Sequence, residues 1–213
     1  MLANNQIGVT LNTELIGIIS GGLVAVSIIP YSIRTWQRKI KPNITSWTLW
    51  TIMGLALLLT YKSSGAKDNV WVSVFGFVNP LLITLIAFKR QYERTRLSKI
   101  DGFCLIFGLI ALVMWFFMKE SKELVQYALY VALIADAFAS IPTIVFLWES
   151  PDQDRPFAWS LFVIASGLNI FAISDFTFAN LILPIYMVVT SLLITIPLYV
   201  YRLRRRTPIE DWI

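Results

Sequence analysis

The chain has no histidine and one cysteine, Cys104. Without imidazole there is no ordinary acid–base group for neutral pH and no His-containing metal site. A lone thiol in an apolar run rules out a disulfide framework. Charge is scarce as well: Asp, Glu, Lys and Arg are 15% of residues, against about 25% in a soluble domain. A phosphate-binding glycine loop, an HExxH pair and a G-x-S-x-G elbow are all missing. The expectation is therefore a chain that is not an enzyme and takes no cofactor or metal. The opening MLANNQIGVTLNTE has neither a basic leader nor a small-residue cleavage site, so no removable signal peptide is expected.

What the chain does have is long apolar runs. Hydrophobic residues make up 57% of it, and a membrane-spanning helix needs about 20 of them in succession. Seven stretches qualify: Leu15–Ile33, Thr45–Tyr61, Asn69–Phe88, Gly102–Met118, Leu124–Trp148, Pro156–Ser174 and Phe176–Tyr201. Open strands cannot face lipid with unpaired backbone groups, so the fold class expected is an all-α membrane protein.

The cations lie between these stretches. Linkers 1–2, 3–4 and 5–6, with the C-terminus, hold 14 of the 18 Lys and Arg residues. The positive-inside rule then puts the N-terminus outside and the C-terminus in the cytosol, with a plasma membrane favoured. Interleaved in this way, the net charge of +5 points to a lipid bilayer as partner and not to nucleic acid. The sequon Asn43–Thr45 falls on the cytosolic side of that topology and is read as chance.

Two segments, IIPYSIRTWQRKIKPNITSW at 28–47 and SIPTIVFLWESPDQDRPFAW at 140–159, repeat one another. Slid along itself by one common offset, the chain pairs Ile29–Pro30 with Ile141–Pro142, Trp36 with Trp148 and Trp47 with Trp159. An offset one position shorter superposes the two LLIT tetrapeptides, Leu81–Thr84 and Leu192–Thr195. The small-residue spacing of Gly17 and Gly21 has an echo in Ala135 and Ala139, a pattern that lets helices approach closely in lipid. The implied organisation is a three-helix unit over 15–90, a linker helix over 102–118 and a second unit over 124–203. A three-helix unit reverses sides and the linker restores them, so the two units run parallel.

The late proline of the first span followed by RTWQRKIKPNITSW resembles the PQ-loop/SWEET superfamily of membrane transporters. IPTIVFLW and RPFAWSL resemble the matching part of the second SWEET repeat. Tyr31 and Thr143 stand where the PQ loop has its glutamine. The resemblance implies a 3+1+3 arrangement of seven helices. It implies alternating access for a small, polar, uncharged, sugar-like solute, facilitative by default. Members have prolines in spans 1, 2, 5 and 6; Pro30, Pro142 and Pro156 match three and are the candidate hinges, while Pro42 falls slightly early. Members also place asparagines against the solute in spans 3 and 7. Asn79 sits where the first would be and Thr190 near the second. Relatives often assemble further, so a homo-oligomer stays open.

Asp136 is the only acid deep within a span, and a charge there costs at least about 2.5–3.5 kcal/mol. It is either a proton-coupling group or a protonated acid bonded to a neighbour's hydroxyl. Asn79 precedes Pro80, which deprives the Gly76 carbonyl of its helical donor and would help form a polar pocket. Asn79, Thr190 and Asn169 are the candidate solute contacts, with interhelical bonding as the alternative role. Asn180 is expected to cap a helix or face water. Trp47 and Trp50 are expected at the membrane boundary, and Arg202, Arg204, Arg205 and Arg206 at headgroups. Alternatives to facilitated diffusion are proton coupling, a nicotinamide-riboside-type vitamin carrier, and a non-transporting receptor or trafficking adaptor of the same fold.

Overall fold

A computed structural model describes residues 2–38, 42, 44–92 and 98–212, with side chains described from Asn12 onward. Lys39, Lys41, Asn43, Arg94 and Arg96 lie outside the described residues. Seven α-helices account for nearly all of the rest: α1 Leu2–Trp36, α2 Ile44–Ser63, α3 Trp71–Lys89, α4 Lys99–Met118, α5 Lys122–Glu149, α6 Pro156–Phe171 and α7 Phe178–Arg205. No strand occurs among the described residues.

Six of the seven helices are long and apolar enough to cross a membrane, which suggests an integral membrane protein. Their outward faces agree: Ile18, Leu85, Ile106, Val113, Ile134 and Val189 are all exposed. The sixth stretch is shorter than the sequence suggests. Its 16 residues rise only about 24 Å at 1.5 Å each. The helix ends where the Ala172 amide bonds back to Asn169, before an exposed turn over Ser174–Phe176.

Odd-numbered helices finish at one end of the bundle, which carries Arg34, Arg90, Arg155 and Arg202 and is here termed the basic end. α3 packs on both α1 and α2, and α7 on both α5 and α6. Across the molecule, α1 packs on α6 and α2 on α5, while α4 covers α2 and α5. The largest apolar cluster, with Ala56, Leu57, Leu129, Ala132 and Leu183, fills the space where α2, α5 and α7 meet.

Glycine sets two of these contacts. A Cβ on Gly17 would lie 1.8 Å from the Asp68 carbonyl oxygen, and one on Gly21 would lie 2.5 Å from the Trp71 Cβ. Those positions seat α1 on a 3-10 turn, Asp68–Val70, that leads into α3. The seat is pinned by a 2.7 Å hydrogen bond from the Thr13 hydroxyl to the Asp68 carboxylate. Gly54 of α2 lies against α3: a Cβ there would be 2.7 Å from the Gly76 carbonyl oxygen. The carbonyl released by Pro80 therefore faces the neighbouring backbone and not a polar pocket.

Candidate functional site

At mid-depth each side of the bundle carries one polar bridge. Asn79 is buried, and its amide donates a 2.8 Å bond from α3 to the Val24 carbonyl of α1. The Ser27 hydroxyl donates to the same oxygen at 2.7 Å. On the other side, the Tyr186 hydroxyl of α7 donates a 2.6 Å bond to the Asp136 carboxylate of α5. Val24 and Asp136 are partners at the offset that pairs Pro30 with Pro142, so each precedes its own proline by the same interval. The α1 and α5 ends of the two bridges are thus equivalent positions, while the donors are not, since Asn79 pairs with Thr190, one turn beyond Tyr186. The chemistry also differs: a backbone acceptor and an amide in one, a carboxylate and a phenol in the other. Thr190 is half-buried, one turn beyond Tyr186, and lies close to that hydroxyl together with Ser140.

The end opposite the basic one is closed by a hydrogen-bonded chain. Tyr61 of α2 is fully buried, and its hydroxyl donates a 2.8 Å bond to the Asn180 carbonyl of α7. The same hydroxyl accepts from the amide of buried Asn69, at the entry to α3. Asn169 of α6 donates a 2.9 Å bond to the Asn69 carbonyl. Four helices from both sides of the molecule are tied together at this point. The Oδ1 atoms of Asn169 and Asn180 and the Ser166 hydroxyl are buried, with no hydrogen-bond partner among the described residues. An acceptor left so costs about 1–3 kcal/mol unless water or a polar guest satisfies it.

The three expected solute contacts therefore fall in three places. Asn79 is in the α1–α3 bridge, Thr190 is beside the α5–α7 bridge, and Asn169 is in the closing chain. Asn180 neither faces water nor acts as the cap: the Thr177 hydroxyl caps the helix by accepting from the Asn180 amide, and Asn180 itself is buried. Tyr61 and Asn69 were not singled out in the sequence. A signal for Asn69 was present, because Asn69 and Asn180 are partners at the offset of the LLIT match.

The prolines differ in setting. Pro30 and Pro142 lie inside α1 and α5, which continue past them to Trp36 and Glu149. Pro156 is the first residue of α6, where its missing N–H removes no hydrogen bond; it starts a helix and bends none.

At the basic end a small cleft, with room for about one water, lies between α1 and the start of α6, lined by Pro30, Tyr31, Arg34, Asp154, Arg155 and Phe157. Tyr31 also packs on Trp47 of α2, with ring centroids 5.1 Å apart, and Trp47 meets Trp50 edge-on. Beside the cleft the C-terminal segment folds back. Arg202 is buried, so it is not a headgroup contact. Its guanidinium donates to the carbonyls of Asp211 (2.9 Å), Pro151 and Leu198 (3.2 Å each), and to that of Asp154. Arg155 donates to the Glu210 carbonyl at 2.7 Å, and the Phe157 amide donates to the Trp212 carbonyl at 3.1 Å. The Asp154 carboxylate accepts from the Trp159 indole at 2.9 Å and the Arg155 amide at 2.7 Å. Burial nevertheless pushes its proton affinity above the usual carboxylate range.

No three His, Cys, Asp or Glu side chains converge as metal ligands among the described residues. Comparison with family models, curated proteins and solved structures gives no match.

Proposed function

We propose that the chain is a membrane transporter built as two parallel three-helix units joined by α4. It moves a small, polar, uncharged solute by alternating access, with the N-terminus outside and the C-terminus in the cytosol of a plasma membrane. The observation that carries this reading is the asymmetry of the two ends. Tyr61, Asn69, Asn169 and Asn180 draw both units together at the outer end, while at the basic end a small cleft, with room for about one water, lies between α1 and the start of α6. The reciprocal packing of α1 on α6 and α2 on α5 supports two units that rock against each other. Pro30 and Pro142 then serve as paired hinges, each just beyond the bridge that holds its unit rigid.

The test is uptake into liposomes across a panel of sugars, amino acids, nucleosides and vitamins, with Tyr61→Phe beside the wild type. Saturable uptake that Tyr61→Phe alters in rate supports the proposal, because that variant loses the bond to Asn180. No uptake of any solute by folded protein overturns it and favours a receptor or adaptor.

The Asp136–Tyr186 bond favours proton coupling as a second reading, since it sets a titratable acid against a phenol at mid-depth. Uptake driven by an imposed proton gradient in wild type, and indifferent to it in Asp136→Asn, supports coupling. Gradient-independent uptake in both proteins leaves facilitated diffusion.

A further inference from the structure

We infer that the outer closure is a poised gate: shutting it leaves buried oxygens on the same helices without partners, so the shut state is held against a standing penalty that opening relieves. The inference rests on the two-unit reading proposed above.

Two hydrogen bonds cross between the units at this end. The Tyr61 hydroxyl of α2 donates to the Asn180 carbonyl of α7 at 2.8 Å, and the Asn169 amide of α6 donates to the Asn69 carbonyl at 2.9 Å. The Asn69 amide links the two by donating to the Tyr61 hydroxyl.

Against these bonds stand three unmet oxygens. Asn169 and Ser166 lie one turn apart on α6 and are 1% and 0% exposed. Neither Asn169 Oδ1 nor Ser166 Oγ has a partner. Asn180 gives its side-chain amide to the Asp175 carbonyl at 2.8 Å and leaves its own Oδ1 unmet. Ser166 is the clearest case. Buried serines elsewhere in the helices donate to a carbonyl of the preceding turn: Ser20 to Ile16, Ser27 to Val24, Ser140 to Asp136 and Ser191 to Met187. Ser166 makes no such bond.

The magnitudes decide what the closing chain does. A hydrogen bond between helices inside a membrane is typically worth less than the penalty on one buried unmet acceptor. The two crossing bonds therefore fix where the units meet, while the packing of α1 on α6 keeps them together. Once α6 and α7 draw away from α2 and the turn before α3, water reaches all three oxygens and the penalty disappears. Local opening at this end is thus easier than opening of the core where α2, α5 and α7 meet.

The experiment measures labelling of a buried reporter cysteine by a soluble maleimide, in detergent and without any solute. The reporter is Ala172→Cys in a Cys104→Ala background, because Ala172 is wholly buried at the end of α6 and faces Gly17 of α1. Tyr61→Phe strands the Asn180 carbonyl and the Asn69 amide, and should speed labelling about tenfold or more. Ser166→Ala removes an unmet oxygen and no hydrogen bond. It should slow labelling several-fold and raise the thermal midpoint. Ser20→Ala is the control, since that hydroxyl is bonded at 2.7 Å; it should do neither. Native Cys104, wholly buried in α4, reports global opening in chains without the reporter, and its labelling should stay slow in every variant. Ser166→Ala behaving like Ser20→Ala overturns the inference, as does Tyr61→Phe with unchanged labelling. Equal acceleration at Cys104 and at the reporter shows global loosening and overturns it too. No uptake is measured, so a failed gate and a failed transporter reading are separate results.

Discussion

At the scale of single residues, the tightest constraint is at Gly17. A methyl group there collides with the Asp68 carbonyl oxygen, a backbone atom that cannot step aside without moving the turn into α3. Gly17→Ala should therefore lower stability by about 1–3 kcal/mol, read as a drop in thermal midpoint in detergent. Gly22→Ala is the control, because nothing lies within 4 Å of its added carbon. Asp154 gives a second residue-scale prediction. Its folded form binds a proton more tightly than an ordinary carboxylate does. The group thus favours folding at low pH, and that contribution falls as pH climbs from the ordinary carboxylate value through the raised one. Asp154→Asn should flatten this part of a stability-versus-pH scan; an unchanged scan would mean that burial does not govern the group. The sequence could mark Asp136 as exceptional because no other acid lies so deep. It could not show that Tyr186, on a different helix, holds it, because a tyrosine in an apolar helix carries no signal of its partner.

Among the helices, apolar runs fixed six of the seven well, since hydropathy and length are local properties. α6 came out shorter because its end is set by the Ala172 turn and by Asn169, whose side chain bonds to a residue one hundred positions earlier. The same limit applies to the end of α7. The closely spaced arginines from Arg202 to Arg206 read as headgroup contacts, yet Arg202 turns inward to four carbonyls. A charge is legible in sequence, whereas the acceptors that make its burial tolerable come together only in three dimensions. The clasp it forms predicts a specific failure. Arg202→Met should cost about 1.5–3 kcal/mol and expose the segment after Arg206 to protease, while the helices stay intact. A protease pattern identical to wild type would show that the remaining contacts, Trp212 edge-on to Tyr199 at 5.3 Å and the bonds from Arg155 and the Phe157 amide, hold the segment without Arg202.

For the whole molecule, the internal repeat reads from rare residues, and Val24 and Asp136 are partners at its offset. It did not anticipate that candidate solute contacts would be scattered over two bridges and a closing chain. Asparagine in a membrane helix signals a polar need without saying whether a guest or a neighbouring helix meets it. The pattern of contacts across the bundle carries one more consequence. In the two-unit arrangement proposed above, α1 meeting α6 while α2 meets α5 makes the surface that one unit offers of the kind that the other offers back, an isologous pairing of the sort found in two-fold dimers. A chain cut between Tyr92 and Ser98 into two co-expressed pieces should therefore copurify as a non-covalent pair. If the pieces do not associate, the covalent link between α3 and α4 supplies the cohesion. Successful reassembly would make the mating surface older in logic than the single chain: a lone three-helix piece, duplicated, already holds both the key and the lock.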